Sequence, residues 1–200
     1  MSKIFSKKGE TLLEVLIALT IITVASAAAG SAIMSAVQGL SLSKNYLIAQ
    51  NLADEGLEAV KNIRDTNWMK FPIDKDTCWL VIENMTSKDG NDCATATSFQ
   101  YKDGGASNDY LLKFETDKWT ATSQAVAFDP NITPTLYALS LADATGRYEN
   151  NATGTPVFYR AIRVVAQAPG SITIDSIVQW YEGTKPYSIT GEEVLTNYLQ

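Results

Sequence analysis

The chain of 200 residues contains no histidine, which removes the commonest general base and a frequent metal ligand. It also lacks a glycine-rich phosphate-binding loop and the Gly-x-Ser-x-Gly elbow of many hydrolases. The adjacent acids Glu192 and Glu193 have no partnered context and are interpreted as surface residues. The sequence therefore predicts no catalytic residue, no metal ligand and no cofactor, and the chain is not expected to be an enzyme.

Cysteine is scarce, and Cys78 and Cys93 are the only two. In an oxidising exterior, an even pair flanking a polar, glycine-containing segment predicts a disulfide worth about 3 kcal/mol. Two free thiols are the alternative, because sequence fixes pairing only weakly. The acidic segment 88–92 between them lacks the spaced Asp and terminal Glu of an EF-hand loop, so a solvated turn is favoured over a calcium site.

Basic residues are outnumbered, with 16 Lys and Arg against 22 Asp and Glu and a net charge of −6. A general nucleic-acid binder needs a basic face to neutralise phosphates, so no nucleic-acid partner is predicted. The overall balance leaves open whether a local basic patch exists.

Charge is almost absent from a long N-terminal segment. A Lys-Lys-Gly sequence at 7–9 precedes an apolar run over residues 12–42, in which Glu14 is the only charged residue before Lys44. At ~1.5 Å per residue, residues 12–37 form ~39 Å of helix, enough to cross a ~30 Å hydrocarbon layer. A carboxylate inside such a segment costs roughly 2.5–3.5 kcal/mol, so Glu14 is expected to have a partner.

The pattern of Lys7, Lys8 and Gly9 followed by Thr11 and Glu14 closely resembles the class III signal of type IV pilins and pseudopilins. A glycine followed by an apolar run would not be specific, whereas the combination is. One difference is that an acidic residue directly follows the glycine, where the family usually has Phe or Met. The resemblance to pilin-like proteins is specific over residues 7–68 and looser over residues 110–199.

The resemblance implies that a prepilin peptidase cuts between Gly9 and Glu10, that the new amino terminus at Glu10 is methylated, and that Glu14 is essential for assembly. It also implies an inner-membrane assembly platform, membrane lipid and other pilin subunits as partners. Removal of residues 1–9 takes away three lysines and no acid, which leaves a net charge of −9.

The fold class expected is α+β, with a long N-terminal helix packed on a C-terminal antiparallel sheet. Beyond the membrane segment, apolar residues recur at helical spacing, and no proline precedes Pro72. The apolar stripe consists of Ala49, Leu52, Gly56, Val60 and Ile63. The predicted divisions are a leader at 1–9, an assembly half of the helix at 10–42, an amphipathic half at 43–68 and an extracellular domain at 69–200.

Strand signals follow Pro72, with alternating or β-branched runs separated by turn residues. The clearest prediction is a hairpin of 172–181 with a return strand at 187–189, and residues 192–199 are expected to form a short tail helix or an extended end. In the strand before it, Arg160 and Arg163 are expected opposite the apolar residues. The other predicted strands are 110–114, 118–128, 137–141 and 157–167.

Two other interpretations of the N-terminus remain. Ala25-Ser26-Ala27 resembles a signal-peptidase site, so release after Ala27 would give a secreted binding or enzymatic domain. A plain signal anchor would instead tolerate Glu14 by extending its side chain to the interface.

The favoured interpretation is a structural subunit of a type IV pilus or a type II secretion-like pseudopilus. Lysines before the apolar run place the N-terminus in the cytoplasm and the domain outside, as a single-pass protein that ends in an envelope or extracellular filament. Adhesion, motility, DNA uptake and secretion are all open roles, and sequence does not separate a major from a minor pilin.

Overall fold

The computed structural model describes residues 10–72, 74–82, 90–102, 108–115, 118–124, 126–129, 136–142, 147–150 and 157–197. It confirms a mixed α+β fold with a long N-terminal helix and an antiparallel sheet. The elements are α1 (Glu10–Lys70), α2 (Lys75–Cys78), α3 (Gly90–Thr95), β1 (Asp109–Glu115), β2 (Lys118–Ser123), β3 (Ala138–Leu141), β4 (Tyr148–Glu149), β5 (Phe158–Ala168), β6 (Ser171–Glu182) and β7 (Lys185–Thr196).

Helix α1 is continuous, and the chain divides into two compact units between Lys44 and Asn45. In the first unit, every side chain over residues 11–41 is exposed. In the second unit, the predicted apolar stripe is confirmed, since all five of its residues are buried. The helix ends where Pro72 follows, because proline lacks the N–H that another turn needs.

The sheet is organised around β5, which pairs with three other strands, all antiparallel. One edge of β5 pairs with β1 and β3, and the other pairs with β6 along most of its length. Strand β7 pairs with β6, β2 with β1, and β4 with β3. The β6–β7 turn contains Gly183 at φ 63°, a backbone conformation that glycine adopts without steric cost.

The core of the second unit lies between α1 and one face of the sheet. Leu57, Val60 and Ile63 pack in a cluster with residues of β1, β5 and β6, and Leu52 packs in a second cluster with Trp180. Full burial of such side chains stabilises the fold by roughly 1.5–3 kcal/mol each. The apolar stripe therefore fixes which side of α1 meets the sheet.

Helix and sheet approach each other closely at Gly56. A Cβ placed on this residue would lie 2.3 Å from Ser176 Oγ and 3.1 Å from Ile162 Cδ1. Only a residue without a side chain fits at this distance, so Gly56 sets the spacing between the two layers.

The predicted disulfide is confirmed, and it joins α2 to α3. Both Cys78 and Cys93 are buried. Asn67, near the end of α1, donates hydrogen bonds from Nδ2 to the carbonyl oxygens of Trp79 at 3.3 Å and Val81 at 2.7 Å. The disulfide segment is thereby tied to the helix by polar contacts as well as by packing.

Three local expectations differ from the structure. Strand β7 is a single strand of 12 residues that runs to Thr196, which contradicts the expected return strand of 187–189 and the tail helix but agrees with the alternative of an extended end. Strand β2 ends at Ser123 rather than at 128. The segment 88–92 was expected to be a turn, but α3 begins at Gly90, and residues 88–89 lie outside the described part of the chain.

The expected position of Arg160 is wrong. Arg160 is buried beside Phe158 and Ile162 on the face of β5 that meets α1, whereas Arg163 is on the opposite face as expected. The reason is that β5 alternates strictly from residue 158 to 164, so every even residue there faces the helix.

Candidate functional site

The N-terminal segment of α1 exposes many large apolar side chains, with small residues between Val24 and Ile33. Each of the large side chains is at least half exposed within its own unit. They are Leu12, Leu13, Val15, Leu16, Ile17, Leu19, Ile21, Ile22, Val24, Ile33, Met34, Val37 and Leu40. A soluble surface rarely exposes so large an apolar area, so the segment is suited to lipid or to other helices.

Four hydroxyl groups in this segment form hydrogen bonds within the helix. Thr20 Oγ1 donates to the carbonyl oxygen of Ile17 at 2.8 Å, and Thr23 Oγ1 donates to that of Thr20 at 2.9 Å. Ser31 and Ser35 make the same kind of bond one turn back, at 2.9 and 3.0 Å. Such internal bonds remove the need for water, which fits an apolar environment.

Glu14 lies one turn inside α1 and is exposed. It is the only charged residue between Thr11 and Ser43. No hydrogen bond or ion pair joins its carboxylate to any residue in the described part of the chain. Its expected partner is therefore not supplied by this part of its own chain.

The structure describes only one of the remaining predicted signal residues. Glu10 is the first residue of α1, whereas Lys7, Lys8 and Gly9 lie outside the described residues. Cleavage between Gly9 and Glu10, methylation of Glu10 and the role of Glu14 in assembly therefore stay predictions.

Length and composition make α1 a candidate membrane span. Its most apolar stretch lies near the N-terminus, and none of that stretch is buried within the protein. It is the one helix of the described chain that meets both criteria.

Charged groups of the second unit hold the helix and strands together. Arg163 binds Asp109 through two bonds, from Nε to Oδ1 at 2.6 Å and from Nη2 to Oδ2 at 2.8 Å. These bonds raise the pKa of the Arg163 guanidinium. Lys61 on α1 reaches Glu193 on β7 at 2.9 Å and Glu58 at 3.0 Å, and these bonds raise the pKa of its ammonium group.

Arg160 is the most deeply buried cation in the described chain, and the sequence interpretation missed it as a site residue. Its Nη1 donates to the carbonyl oxygen of Leu52 at 3.1 Å and to Glu55 Oε1 at 3.2 Å. Burial lowers the pKa of its guanidinium, and Glu55 partly opposes that effect. Strict two-residue alternation from Phe158 was the signal that could have placed Arg160 inside.

Nothing in the described residues resembles a metal centre. No group of three or more Cys, Asp or Glu side chains there could hold an ion. The ion pairs above join neighbouring elements, so their geometry accounts for packing rather than for a reaction.

Comparison with known proteins supports the N-terminal resemblance. Residues 4–30 match the family model of the prokaryotic N-terminal methylation motif, which is the signal of type IV pilins and pseudopilins. No curated protein and no solved structure matches the chain. The match confirms the signal itself, and it supports a pilin-like or pseudopilin-like precursor that is anchored in the membrane and assembles with other subunits.

Proposed function

We propose that the chain is a structural subunit of a type IV pilus or a type II secretion-like pseudopilus. The observation that supports this most strongly is the methylation motif at 4–30, followed by an exposed apolar helix with a single carboxylate at Glu14. The proposed role is assembly, with no reaction of its own.

Processing is proposed to create the charge that Glu14 needs. Cleavage after Gly9 releases a positive α-amino group at Glu10, at the start of α1. An opposite charge nearby favours the ionised carboxylate, and in hydrocarbon it lowers a cost of several kcal/mol. An amine on one subunit and a carboxylate on the next would therefore attract each other.

The geometry of this contact favours a filament. The amine and Glu14 are different groups, so each subunit offers one to the neighbour ahead and the other to the neighbour behind. Such head-to-tail contacts produce an open helical assembly unless the rotation closes. Exposed apolar side chains around Glu14 would at the same time bury against neighbouring helices.

The proposed cellular arrangement follows from charge and hydrophobicity. The leader lysines remain in the cytoplasm, residues 10–42 of α1 cross the membrane, and the β-rich domain lies outside. The proposed partners are a prepilin peptidase, an inner-membrane assembly platform, lipid and other pilin subunits.

N-terminal sequencing of the mature protein tests the proposal. A first residue at Glu10 is expected, and replacement of the preceding glycine in Gly9→Val should block maturation because a branched side chain does not fit a site selective for glycine. A mature N-terminus at Ala28 would instead support a secreted domain, and maturation of Gly9→Val at Glu10 would contradict the peptidase assignment.

A further inference from the structure

A cavity of about 60 Å³ lies beside β1, β2 and β4 in the second unit. Three cations line it, Lys113, Arg147 and Arg160, together with the rings of Phe114 and Trp119. The volume is enough for a few water molecules or for one small polar group. The density of cations in so small a space is the feature that needs an explanation.

Arg160 has unused hydrogen-bonding capacity next to this cavity. Its side chain is 3% exposed, and only Nη1 donates, to Leu52 and Glu55. The Nε–H and Nη2–H donors have no acceptor among the residues that the structure describes. Arg160 lines the cavity, and this edge of a guanidinium is the one that matches both oxygens of a carboxylate.

Arg147 adds a second guanidinium on the same aromatic pair. Its Cζ lies 4.6 Å from the centre of the Phe114 ring and 6.0 Å from that of Trp119, and Arg160 Cζ lies 5.7 Å from Trp119. The charge of Arg147 further lowers the pKa of Arg160, which shows that the two cations repel each other. An anion between them would relieve that repulsion.

Two acids moderate the charge of the lining. Glu115 and Glu149 also face the cavity, and Glu55 neutralises Arg160 from the helix side. Three cations are therefore balanced by three acids, so bulk charge does not favour a doubly charged anion. Affinity must come from directed hydrogen bonds, which favours a planar, singly charged group over a phosphate dianion.

We propose that this cavity is a carboxylate-binding site. Nε–H and Nη2–H of Arg160 donate to the two carboxylate oxygens, and Arg147 supplies the second positive charge above the Trp119 ring. The carboxylate comes from one of two sources, a small free acid or an acidic side chain of a second copy of this chain.

Titration of the full-length chain in detergent micelles with sodium acetate, at constant ionic strength, tests the proposal. The readouts are the Nε–H signals of arginine by NMR and the tryptophan fluorescence that is lost in Trp119→Phe. Saturable changes are expected with acetate, and weaker changes with inorganic phosphate. A linear or absent response to acetate would mean that the cavity holds only water and would overturn the site.

Arg147→Gln is the informative variant, because Arg147 is exposed and its loss leaves the buried Arg160–Glu55 pair in place. Acetate affinity should fall by roughly tenfold, the usual effect of losing one charged hydrogen-bonding partner. Lys185→Gln, which removes an exposed cation on β7, is the matched control and should leave affinity unchanged. Equal losses in both variants would contradict a specific site.

The two sources are distinguished by protein concentration. If a second copy supplies the carboxylate, the NMR and fluorescence signals change as the protein is concentrated without acetate. If a free acid is the ligand, the signals depend on acetate alone. Either result supports the site, whereas signals that respond to neither variable exclude both sources.

Discussion

At the scale of single residues, Glu14 combines exposure with isolation from every other charge in the segment 11–43. We predict that Glu14→Ala leaves cleavage and folding of the outer domain intact but stops incorporation into filaments, because the carboxylate that attracts the neighbouring amine is gone. Sheared filaments examined by microscopy measure the effect. Glu10→Phe, which restores the residue usual in the family, is the control and should assemble. Filaments of normal abundance from Glu14→Ala would show that another contact sets the assembly.

Asp175 on β6 is a second residue that leads to a testable prediction, because its ionisation affects the stability of the fold. It lies opposite Arg163 on β5 and Glu192 on β7. The pKa of its carboxyl group is raised, mainly by burial and then by the charge of Glu192, although Arg163 opposes the shift. The folded state therefore binds the proton more tightly than the unfolded state does, and ionisation of Asp175 at neutral pH destabilises the fold.

Asp175→Asn should consequently raise the free energy of unfolding at pH 7. The gain should shrink as the pH falls through the raised folded pKa, and it should vanish below the ordinary pKa of 3.8, where both states are protonated. Urea denaturation between pH 3 and 7 measures this. Asp54→Asn, on the exposed side of α1, is the comparison. A gain of equal size at every pH would point to packing rather than to ionisation.

At the scale of secondary-structure elements, the contact of α1 with the sheet at Gly56 should reverse the usual effect of a glycine-to-alanine substitution on helix stability. Glycine to alanine in a helix usually stabilises by up to about 1 kcal/mol. Here the new Cβ would meet Ser176 Oγ, so Gly56→Ala should instead destabilise the second unit by about 1–3 kcal/mol. Thermal unfolding of the detergent-solubilised protein measures the change.

Two variants show whether this contact is the cause. Gly56→Ala combined with Ser176→Ala should recover most of the loss, because the hydroxyl oxygen is removed and Ser176 Oγ makes no hydrogen bond in the described structure. Gly39→Ala, where no atom lies within 4 Å of the new Cβ, should not destabilise. If Gly56→Ala alone were as stable as the wild type, helix α1 and the sheet would be able to move apart at little energetic cost.

The disulfide that joins α2 to α3 should persist in mature protein recovered from outside the membrane. Replacement of both cysteines, Cys78→Ser with Cys93→Ser, should lower stability by about 3 kcal/mol, the value for a loop of this length. Mass spectrometry after alkylation without reductant provides the check on the bond itself. Two alkylated thiols would show that the pair is reduced in the cell.

Secondary-structure elements could be predicted from the sequence where one periodic pattern of apolar residues dominated. The burial of Leu52, Val60 and Ile63 was evident from their spacing, because a helix can bury only one face against a sheet. The continuation of β7 past Gly191 was not evident, because glycine followed by two acids resembles a turn. The structure keeps the strand because Gly191 pairs with Ser176 and lies against Leu57, where a side chain would be crowded.

The candidate functional residues also fall into a group that the sequence could predict and a group that it could not. The N-terminal signal is read from local spacing alone, so Glu14 could be identified from sequence and the methylation motif was confirmed. The cavity at Arg160 depends on contacts between β1, β2, β5 and the segment at Arg147, which lie in separate parts of the chain. No local sequence pattern predicts contacts between such distant segments. A charged residue in a strand is ordinarily expected on the solvent-exposed face of the sheet.

At the scale of the whole molecule, the last strand completes the core. Strand β7 contributes the buried residues Ile189 and Leu195 and the partner of Lys61, Glu193. Deletion of residues 185–200 should therefore abolish cooperative unfolding and make the amphipathic half of α1 sensitive to protease. Deletion of 198–200 alone is the control and should preserve both properties. A protease-resistant product from the longer deletion would show that β7 is dispensable.

Helix α1 contacts residues that lie more than 100 positions later in the sequence, and this separation matters while the chain is being synthesised. The carbonyl oxygen of Leu52 accepts its hydrogen bond from Arg160, 108 residues later, and Asn45 contacts Glu182, 137 residues later. A ribosome adding roughly 5–20 residues per second needs roughly 5–30 s to make that interval. During those seconds the apolar stripe of a newly made helix has no strand to cover it. The speed of synthesis and export, rather than the strength of any single contact, then determines how long the nascent subunit is exposed to aggregation.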